Sequence, residues 1–254
     1  MMTHNAHART TIAILASFLL ALPASAKVTE TFRQTYPLTA DGVISLENVN
    51  GDVEIVGWDK NEVSLEAEKR AKTDKDLARI EIEIDAQPTR LTIKSRHERK
   101  FNFLGNWPNG EVRYKLMVPA GASLKKIDTV NSDITVTGVR GPVDLDTVNG
   151  TIEASGLTAN GRFDTVNGSI TVDYDSLPEG TKVLLDSVNG SCRIKLPKDA
   201  SFNLDADNVN GRVTCDFPIT LEKTGRHHLR GKVGNGGASV RLDSVNGSLR
   251  VNSK

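Results

Sequence analysis

The chain has few of the residues that most often carry catalysis or metal binding. Its 254 residues include two cysteines, five histidines and only 5% aromatic residues. It contains no Gly-x-Ser-x-Gly, phosphate-binding loop or paired-cysteine zinc motif. His227 and His228 are adjacent, but without a cysteine or carboxylate at metal spacing they predict a solvated loop. The sequence therefore predicts no enzyme activity, no cofactor and no metal site.

The chain also lacks an excess of charge of one sign. Its 32 basic and 32 acidic residues cancel. Leaving out Arg9, which belongs to the leader described next, gives 32 minus one, or 31, against 32. A balanced chain offers no basic surface to nucleic acid or to anionic lipid. We therefore expect no nucleic-acid partner.

Long hydrophobic runs are restricted to one short segment near the N-terminus. Thr11–Leu22 is largely apolar, follows the basic Arg9 and precedes Ala-Ser-Ala at 24–26. That order is typical of a secretory signal peptide over residues 1–26, and its apolar part is too short to span a bilayer. No cysteine follows the cleavage site, so a lipid anchor there is not expected. We predict an exported mature chain, residues 27–254, without a transmembrane segment.

The chain is rich in one short sequence motif, here called the phrase, which occurs seven times. Six copies contain Val-Asn-Gly, and the copy at 127–132 has Ser in place of Gly. Successive valines are 81, 18, 18, 22, 21 and 36 residues apart. A fixed phrase at a spacing near twenty residues is typical of stacked structural repeats. The seven copies span 46–51, 127–132, 145–150, 163–168, 185–190, 206–211 and 242–247.

Hydrophobic alternation around the phrase predicts two strands joined by a corner. With the valine as position 0, positions +4 and +6 are apolar or small in every copy, as in Ile170 and Val172. Positions −3 and often −5 are apolar too, and we interpret the break between −3 and 0 as a corner or bulge. Asn-Gly tolerates positive φ and also allows a hairpin turn. Eighteen residues suit one layer of a solenoid, so we favour the corner.

The predicted fold class is therefore all-β, a single-chain β-solenoid of layers of about 18–22 residues with one short helix. Residues 27–120 form an irregular first part of the domain at 27–254, and residues 121–254 carry the regular repeats. Thr73-Asp74-Lys75-Asp76 resembles a capping box and predicts the helix, which we expect to run to Arg79. The two long gaps between phrases would hold layers or hairpins without the phrase.

Stacking would bring the asparagine of every phrase into one row. Layers of a β-structure lie about 4.8 Å apart, a distance at which side-chain amides can hydrogen-bond in a ladder. We predict such a structural ladder at one corner. It comprises Asn50, Asn131, Asn149, Asn167, Asn189, Asn210 and Asn246, here called the Asn row.

An acidic residue lies two positions before each valine. Stacked carboxylates repel, which could favour Ca²⁺, an ion with six to eight oxygen ligands, or a polycation. The alternative is that each carboxylate caps backbone N–H groups at the corner. The glycine-rich calcium-binding nonapeptide is absent, which favours capping. The residues are Glu47, Asp128, Asp146, Asp164, Asp186, Asp207 and Asp243, here called the acidic row.

Cys192 and Cys215 occupy positions +4 and +6 of consecutive phrases. Two cysteines in an exported chain suggest a disulfide. In exact register, however, their Cα atoms would lie about 8 Å apart, beyond disulfide reach. We expect reduced, buried thiols, and a small shift in register would reverse that expectation.

One stretch, from residue 96 to 110, is not explained by the repeat. It is basic, then aromatic, then rich in turn residues. Cations beside apolar rings suit a binding surface, and rings folded over the open end of the core are the equal alternative. The candidate binding residues are Arg96, Arg99, Lys100, Phe101, Phe103 and Trp107.

Several segments together resemble a known bacterial family. They are the signal peptide, the opening LENVNGDVEIVGWDKNEVSLEAEK, the recurrent D-T-V-N-G-x-I and the closing GKVGNGGASVRLDSVNGSLRV. They resemble the "putative adhesin" β-strand-repeat family of unknown function, whose folded unit is called a toast-rack domain. The resemblance covers roughly residues 30–254. It implies a β-solenoid in the bacterial envelope, periplasmic or at the cell surface, and relatives beside envelope-stress proteins imply sensing or scaffolding. The family has no established catalytic residues.

Two functions follow from these observations. The first is a non-catalytic secreted or periplasmic envelope protein, adhesin-like or a scaffold or sensor. It would present a repetitive β-surface to an envelope protein, a polysaccharide or a second copy of itself. The second is a polysaccharide-active β-helix enzyme, which needs a groove with two carboxylates and exposed aromatics away from the acidic row. Periodic carboxylates favour the first.

Overall fold

The computed structural model describes residues 27–97 and 110–254. In these two ranges, twenty-one strands form two sheets, and there is one short helix, α1 (Asp74–Leu77). Thr73 caps α1 by accepting a hydrogen bond from the backbone N–H of Asp76, as the capping-box pattern predicts. The helix ends at Leu77, two residues before the predicted end. No helix in the described ranges has the length and hydropathy needed to span a membrane.

The first sheet has ten strands and is parallel over most of its width. Only the first two pairs in its spatial order are antiparallel, and every later pair is parallel. In spatial order the strands are β1 (Val28–Pro37), β4 (Glu62–Ala71), β7 (Gly110–Pro119), β3 (Val53–Trp58), β9 (Ile134–Thr137), β11 (Ile152–Leu157), β13 (Ile170–Tyr174), β15 (Cys192–Leu196), β21 (Leu249–Ser253) and β17 (Val213–Cys215).

The second sheet has eleven strands and is antiparallel only at its two ends, in the first two pairs and the last pair of its spatial order. In spatial order the strands are β18 (Ile219–Thr224), β19 (His228–Val233), β16 (Phe202–Asn210), β20 (Ala238–Asn246), β14 (Lys182–Asn189), β12 (Gly161–Asn167), β10 (Val143–Asn149), β8 (Ser123–Asn131), β2 (Val43–Glu47), β6 (Arg90–His97) and β5 (Ile80–Gln87).

Each phrase connects a strand of the second sheet to a strand of the first. The chain therefore turns a corner at the phrase and does not form a hairpin there, as predicted. Seven layers arise in this way: β2/β3, β8/β9, β10/β11, β12/β13, β14/β15, β20/β21 and β16/β17. An eighth layer, β6/β7, has no phrase and lies in the 81-residue gap, where such a layer was expected. The predicted all-β solenoid is confirmed.

The layers do not stack in chain order at the two ends. β2/β3 lies between β6/β7 and β8/β9, and β20/β21 lies between β14/β15 and β16/β17. Asn189 therefore has Asn246, 57 residues away, as its neighbour. The cysteine argument assumed that consecutive phrases are neighbouring layers, and that assumption is wrong. Cys192 and Val213 each pair with Leu249, so a whole layer separates the two cysteines.

The core lies between the sheets and is filled by aliphatic side chains in rows. Ile170 and Val172, at +4 and +6, are fully buried, and burying each contributes about 1.5–3 kcal/mol. The expected break in alternation between −3 and 0 is wrong. Position −1 also points inward, as Thr147 does with 0% exposure, while the valine at 0 points outward. The hydrophobic pattern did not predict this arrangement, because the buried residue at −1 is polar and the exposed residue at 0 is apolar.

Candidate binding face

The Asn row forms a continuous chain of side-chain hydrogen bonds along the corner. Each Nδ2 donates to the Oδ1 of the asparagine in the neighbouring layer, over 2.8–3.0 Å, in six successive bonds. At one end Asn50 Nδ2 donates to the backbone carbonyl of Gly110 over 3.2 Å. At the other end Asn210 donates to Asn246. All seven predicted asparagines thus lie side by side, in an order set by the layers.

A second ladder, which sequence reasoning missed, runs through the buried residue at position −1. Thr147 Oγ1 donates to the carbonyl of Ser132 over 3.1 Å, and Ser187 Oγ donates to that of Gly168 over 2.9 Å. Thr165 and Ser244 make the same bond to the neighbouring corner. The available signal was that position −1 is Asn, Thr or Ser in all seven phrases. A buried polar side chain requires such a partner.

The phrase glycine is needed for close approach of neighbouring corners, and in most copies its φ is not positive. A Cβ on Gly168 would lie 1.8 Å from the carbonyl oxygen of Gly150, and one on Gly190 would lie 1.7 Å from that of Gly168. Among the phrase glycines, a left-handed φ occurs only at Gly51 (102°) and Gly211 (155°). These two belong to the outermost phrase-bearing layers, which have a neighbouring phrase on one side only.

The acidic row lies along the outer face of the second sheet. Asp164 pairs in register with Asp146 on one side and with Asp186 on the other. The expected capping of corner N–H groups by these carboxylates is wrong, because they lie on the strands before the corner. Residues at +3 do that capping: Asp133 Oδ1, for example, accepts from the backbone N–H of Thr151 over 2.7 Å.

Cations two residues before the carboxylates offset part of the acidic charge. Arg162 Nε lies 2.8 Å from Asp164 Oδ2, and Arg241 Nε lies 2.6 Å from Asp243 Oδ2. Asp146 and Asp186 have no ion pair within the described ranges. Because ion-paired and unpaired carboxylates alternate, the middle of the acidic row keeps a negative charge.

Burial and neighbouring charges raise the pKa of carboxyls in the middle of the row. The pKa of Asp164 is raised to about 6, first by burial and then by Asp146 and Asp186, although Arg162 lowers it. Burial also leads the rise in the pKa of Asp186, with Asp243 adding to it. The row is thus a line of carboxylates, and in the described part of the chain no three His, Cys, Asp or Glu side chains converge on a metal position.

The valines of the phrases form an exposed apolar row between the acidic row and the Asn row. Six of them are 37–41% exposed, and Val209 in the last layer is 61% exposed. The row comprises Val49, Val130, Val148, Val166, Val188, Val245 and Val209, here called the valine row. The acidic, valine and Asn rows together are called the corner face. Six steps of about 4.8 Å make it about 29 Å long.

Most of the predicted loop site lies outside the described residues. Arg96 is on β6, where its Nε lies 2.7 Å from Glu83 Oε1, and that carboxylate raises the pKa of Arg96. The ion-pair partner of Arg96 is therefore a residue of this domain. Arg99, Lys100, Phe101, Phe103 and Trp107 fall in the stretch from 98 to 109, which the structure does not describe.

Both cysteines are free thiols. Cys192 is buried, and its pKa is raised to about 12, first by burial and then by Asp186 and Asp243 of the second sheet. Cys215 is only half-buried, contrary to the expectation, because it lies in the last layer of the first sheet. Of the adjacent histidines, His228 lies on β19, with Nδ1 3.4 Å from Asp207 Oδ1.

A cavity of about 490 Å³ on the side away from the phrases tests the enzyme alternative. It contains three carboxylates, Asp175, Glu179 and Asp199, together with Pro178 and Pro197. Among the described residues that line it, none is aromatic. The combination of carboxylates and exposed rings that a polysaccharide-cleaving groove requires is therefore not found in this cavity.

Fold and corner together define an all-β solenoid of stacked strand–corner–strand repeats. A family model described as Toastrack DUF4097 matches residues 41–252, and the chain belongs to that family, whose function is unknown. The resemblance noted from the sequence is thereby confirmed. No curated protein matches the chain.

Solved structures with a similar arrangement come from bacteria. A "putative cell adhesion protein" from Clostridium sporogenes is 13% identical, with 89% of this chain and 100% of that chain covered and a TM-score of 0.49. A "putative adhesin" from Bacteroides fragilis is 11% identical, with 87% and 97% covered and a TM-score of 0.42. At this level of similarity the names of these proteins carry no argument about this chain.

Proposed function

We propose that this protein is a non-catalytic, exported bacterial envelope protein that binds a partner along the corner face. The observation that carries the proposal is the register of three chemically different rows over seven layers. A soluble fold needs the Asn row and the buried side chains, but it does not need seven exposed valines. A continuous exposed apolar stripe beside charged groups is typical of an interaction surface.

The charge on the corner face indicates what kind of partner fits. The acidic row has seven carboxylates, and Lys126, Arg162 and Arg241 are the basic residues two positions before its members. The remaining negative charge would attract a partner with positive groups and would speed its association. The carboxylates recur about every 4.8 Å, the distance between layers, and this spacing suits a partner that is itself repetitive. A polysaccharide with amino groups, or a basic segment of an envelope protein, meets both conditions.

Export to the envelope is part of the same proposal and rests on the leader at residues 1–26. That leader has the order of a secretory signal peptide. The adhesin-like, scaffold and sensor roles all place the corner face against another envelope component. Fractionation of cells that express the full chain would test this part, since a cytoplasmic location would exclude it.

Binding by purified residues 27–254 would test the corner face. Envelope polysaccharides and basic envelope proteins would be immobilised, and the Kd measured at low and high salt. We expect the double variant Asp146→Asn, Asp186→Asn to weaken binding at least tenfold at low salt, because the charge attraction is lost. Val148→Ser with Val166→Ser should weaken binding at both salt concentrations.

Glu153→Gln is the matched control, since Glu153 is exposed on β11 of the opposite sheet. It should bind as the unchanged protein does. If Glu153→Gln weakens binding as much as the Asp146, Asp186 double variant, the corner face is the wrong surface. Release of shortened polysaccharide during the assay would instead support the enzyme alternative.

A further inference from the structure

At one end of the solenoid the first sheet stops two strands short of the second. β16 and β17 form the last layer there, and the second sheet continues through β19 and β18. Within the described residues β17 pairs only with β21. At the opposite end both sheets continue past the phrase-bearing layers and finish in antiparallel pairs. Antiparallel end strands protect a parallel stack from extension, and β17 lacks this protection.

The core side chains of the last layer are correspondingly uncovered. In the six other phrase-bearing layers the residues at +4 and +6 are at most 4% exposed. Val213 and Cys215, at the same positions of the last layer, are only half-buried. Val209 of this layer is also the most exposed member of the valine row, at 61%. The last layer therefore lacks a neighbour along its whole length in the first sheet.

The backbone of β17 has hydrogen-bonding groups directed at the vacant side. The carbonyl of Arg212 accepts from the N–H of Leu249, and the N–H of Asp216 donates to the carbonyl of Val251, each over 2.9 Å. Bonding direction alternates along a strand, so the N–H and C=O of Val213 and Cys215 point away from β21. Asn210 ends the Asn row, and its Oδ1 is placed to accept from one more amide.

We propose that β17 is a docking site for one extended strand from a partner protein. The strand runs parallel to β17 and carries Asn followed three and five residues later by apolar side chains. Its Asn amide donates to Asn210 Oδ1, and its two apolar residues cover Val213 and Cys215. Strand addition to a sheet edge supplies affinity through main-chain bonds and specificity through alternate side chains.

The partner strand cannot be the opposite end of a second copy. The asparagine at that end, Asn50, already donates to Gly110, and β3 beside it is covered by β7. The first sheet ends there at β1, whose sequence VTETFRQTYP contains no Asn, so head-to-tail stacking of whole molecules would lack the amide donor. The fitting partner is a separate segment with the spacing of the phrase itself, such as a toast-rack repeat in another envelope protein.

A fluorescent peptide with the sequence of residues 242–253, LDSVNGSLRVNS, is the probe. Fluorescence anisotropy with purified residues 27–254 should show saturable binding. A peptide with Asp in place of the residues equivalent to Leu249 and Val251 should bind at least tenfold more weakly. In the protein, Cys215→Lys should weaken binding at least tenfold, because it places a charge at the edge. Val213→Pro should do the same by removing an outward N–H.

Leu221→Lys is the matched control, since Leu221 is 52% exposed on β18 at the same end of the solenoid. It should bind the peptide as the unchanged protein does. Peptide binding that survives both Cys215→Lys and Val213→Pro would overturn the proposal. So would the absence of binding to the unchanged protein.

Disulfide trapping tests the register without altering the protein. A peptide with Cys in place of Val251 should form a disulfide with Cys215 under mild oxidation, because paired Cα atoms about 5 Å apart are within reach. A peptide with Cys in place of Arg250 should not, since that side chain faces the opposite side of the sheet. Equal trapping of both peptides by mass spectrometry would contradict parallel docking in this register.

Discussion

At the scale of single residues, the corner depends on amides that use both of their hydrogen-bonding ends. Asn167 Nδ2 donates to Asn149 Oδ1 over 2.8 Å, and Asn167 Oδ1 accepts from Asn189 Nδ2 over 2.9 Å. A hydroxyl or a carboxylate could not continue this pattern with the same reach. The repeated asparagine is therefore explained by a structural requirement of stacked layers.

Asn167→Leu should lower the free energy of unfolding by about 1–3 kcal/mol, because it removes two hydrogen bonds and leaves a donor and an acceptor unpaired. Thermal and denaturant melts of residues 27–254 would measure the loss. Thr135→Leu, on the exposed side of β9, is the control and should change stability by less than about 0.5 kcal/mol. An unchanged melting midpoint for Asn167→Leu would count against the ladder as a source of stability.

Asp164 makes stability depend on pH in the direction opposite to that of a carboxylate whose pKa is lowered on folding, because burial outweighs its ion pair with Arg162. Burial, then Asp146 and Asp186, raise its folded-state pKa from 3.8 to about 6. The folded chain therefore binds more protons than the unfolded chain between these two values, and stability falls as pH rises through this window. Asp164→Asn should remove the fall, and at pH 7 it should stabilise the protein by roughly 1–3 kcal/mol.

Melting midpoints between pH 4 and pH 7.5 would measure this dependence. Thr135→Leu, which changes no titratable group, is the control and should leave the slope unchanged. A slope that is equally steep in Asp164→Asn and in the unchanged protein would show that other groups cause it. The pKa values of Asp144, Asp146 and Asp186 are also raised, first of all by burial, so these carboxyls contribute a fall in the same direction.

At the scale of the elements, each corner is a place where two backbones meet without room for a side chain. The N–H of Gly168 donates to the carbonyl of Asn189 on one side, and its Cα faces the carbonyl of Gly150 on the other. The strands on both sides of the corner are thereby held at the spacing that their ladders require. The glycine is thus a packing requirement between layers more than a conformational one within a layer.

Gly168→Ala should destabilise the protein by at least about 2 kcal/mol, because its Cβ would lie 1.8 Å from the Gly150 oxygen and the corner must shift. Gly225→Ala is the matched control. A Cβ there would meet only His228 Cδ2, at 3.9 Å, so the change should be small. Equal melting midpoints for the two variants would show that the corners can separate at little cost.

The outermost phrase-bearing layers use a different residue at −1 from the layers between them. Asn48 Nδ2 donates to the carbonyls of Gly51 and Val112, each over 2.8 Å, and Asn208 Nδ2 donates to that of Gly247. In four of the five intervening layers the hydroxyl donates to one carbonyl. Thr129 Oγ1, in the fifth, has no hydrogen-bond partner among the described residues. At the first of these layers, the longer amide satisfies carbonyls that a threonine hydroxyl would leave unpaired.

At the scale of the whole molecule, the first and last phrases lie inside the stack although they lie near the ends of the repeat sequence. β2/β3 is covered by β6/β7, and β20/β21 is covered by β16/β17. The 81-residue and 57-residue separations between neighbouring layers tie distant parts of the chain into one sheet. Such long-range pairing predicts slow, cooperative folding.

Removal of residues 238–254 should abolish cooperative melting, because β14 and β16 would both lose their central neighbour and their core rows would be exposed. Circular dichroism and size-exclusion chromatography of the shortened chain would show this. Removal of only Ser253 and Lys254, at the end of β21, is the control and should leave a cooperative transition at a slightly lower temperature. A folded, monomeric chain ending at residue 237 would contradict the interior position of the last repeat.

The sequence by itself determined the repeating unit. The spacing of the phrase and the alternation at +4 and +6 predicted a solenoid of strand–corner–strand layers, and the periodic asparagine predicted the row that the structure displays. These features follow from local periodicity and the spacing of β-strands, which any window of the chain contains. The short helix followed from its capping pattern in the same way.

Only the tertiary structure decided which layers are neighbours and what faces outward. Parallel layers carry nearly identical phrases, so the local pattern cannot say that Asn189 pairs with Asn246 instead of Asn210. That choice depends on pairing between distant strands, and it separates the cysteines and leaves β17 at an edge. The sequence also did not predict that the side chain at −1 points into the core, since polar residues are buried only where a neighbouring layer supplies their hydrogen-bond partners.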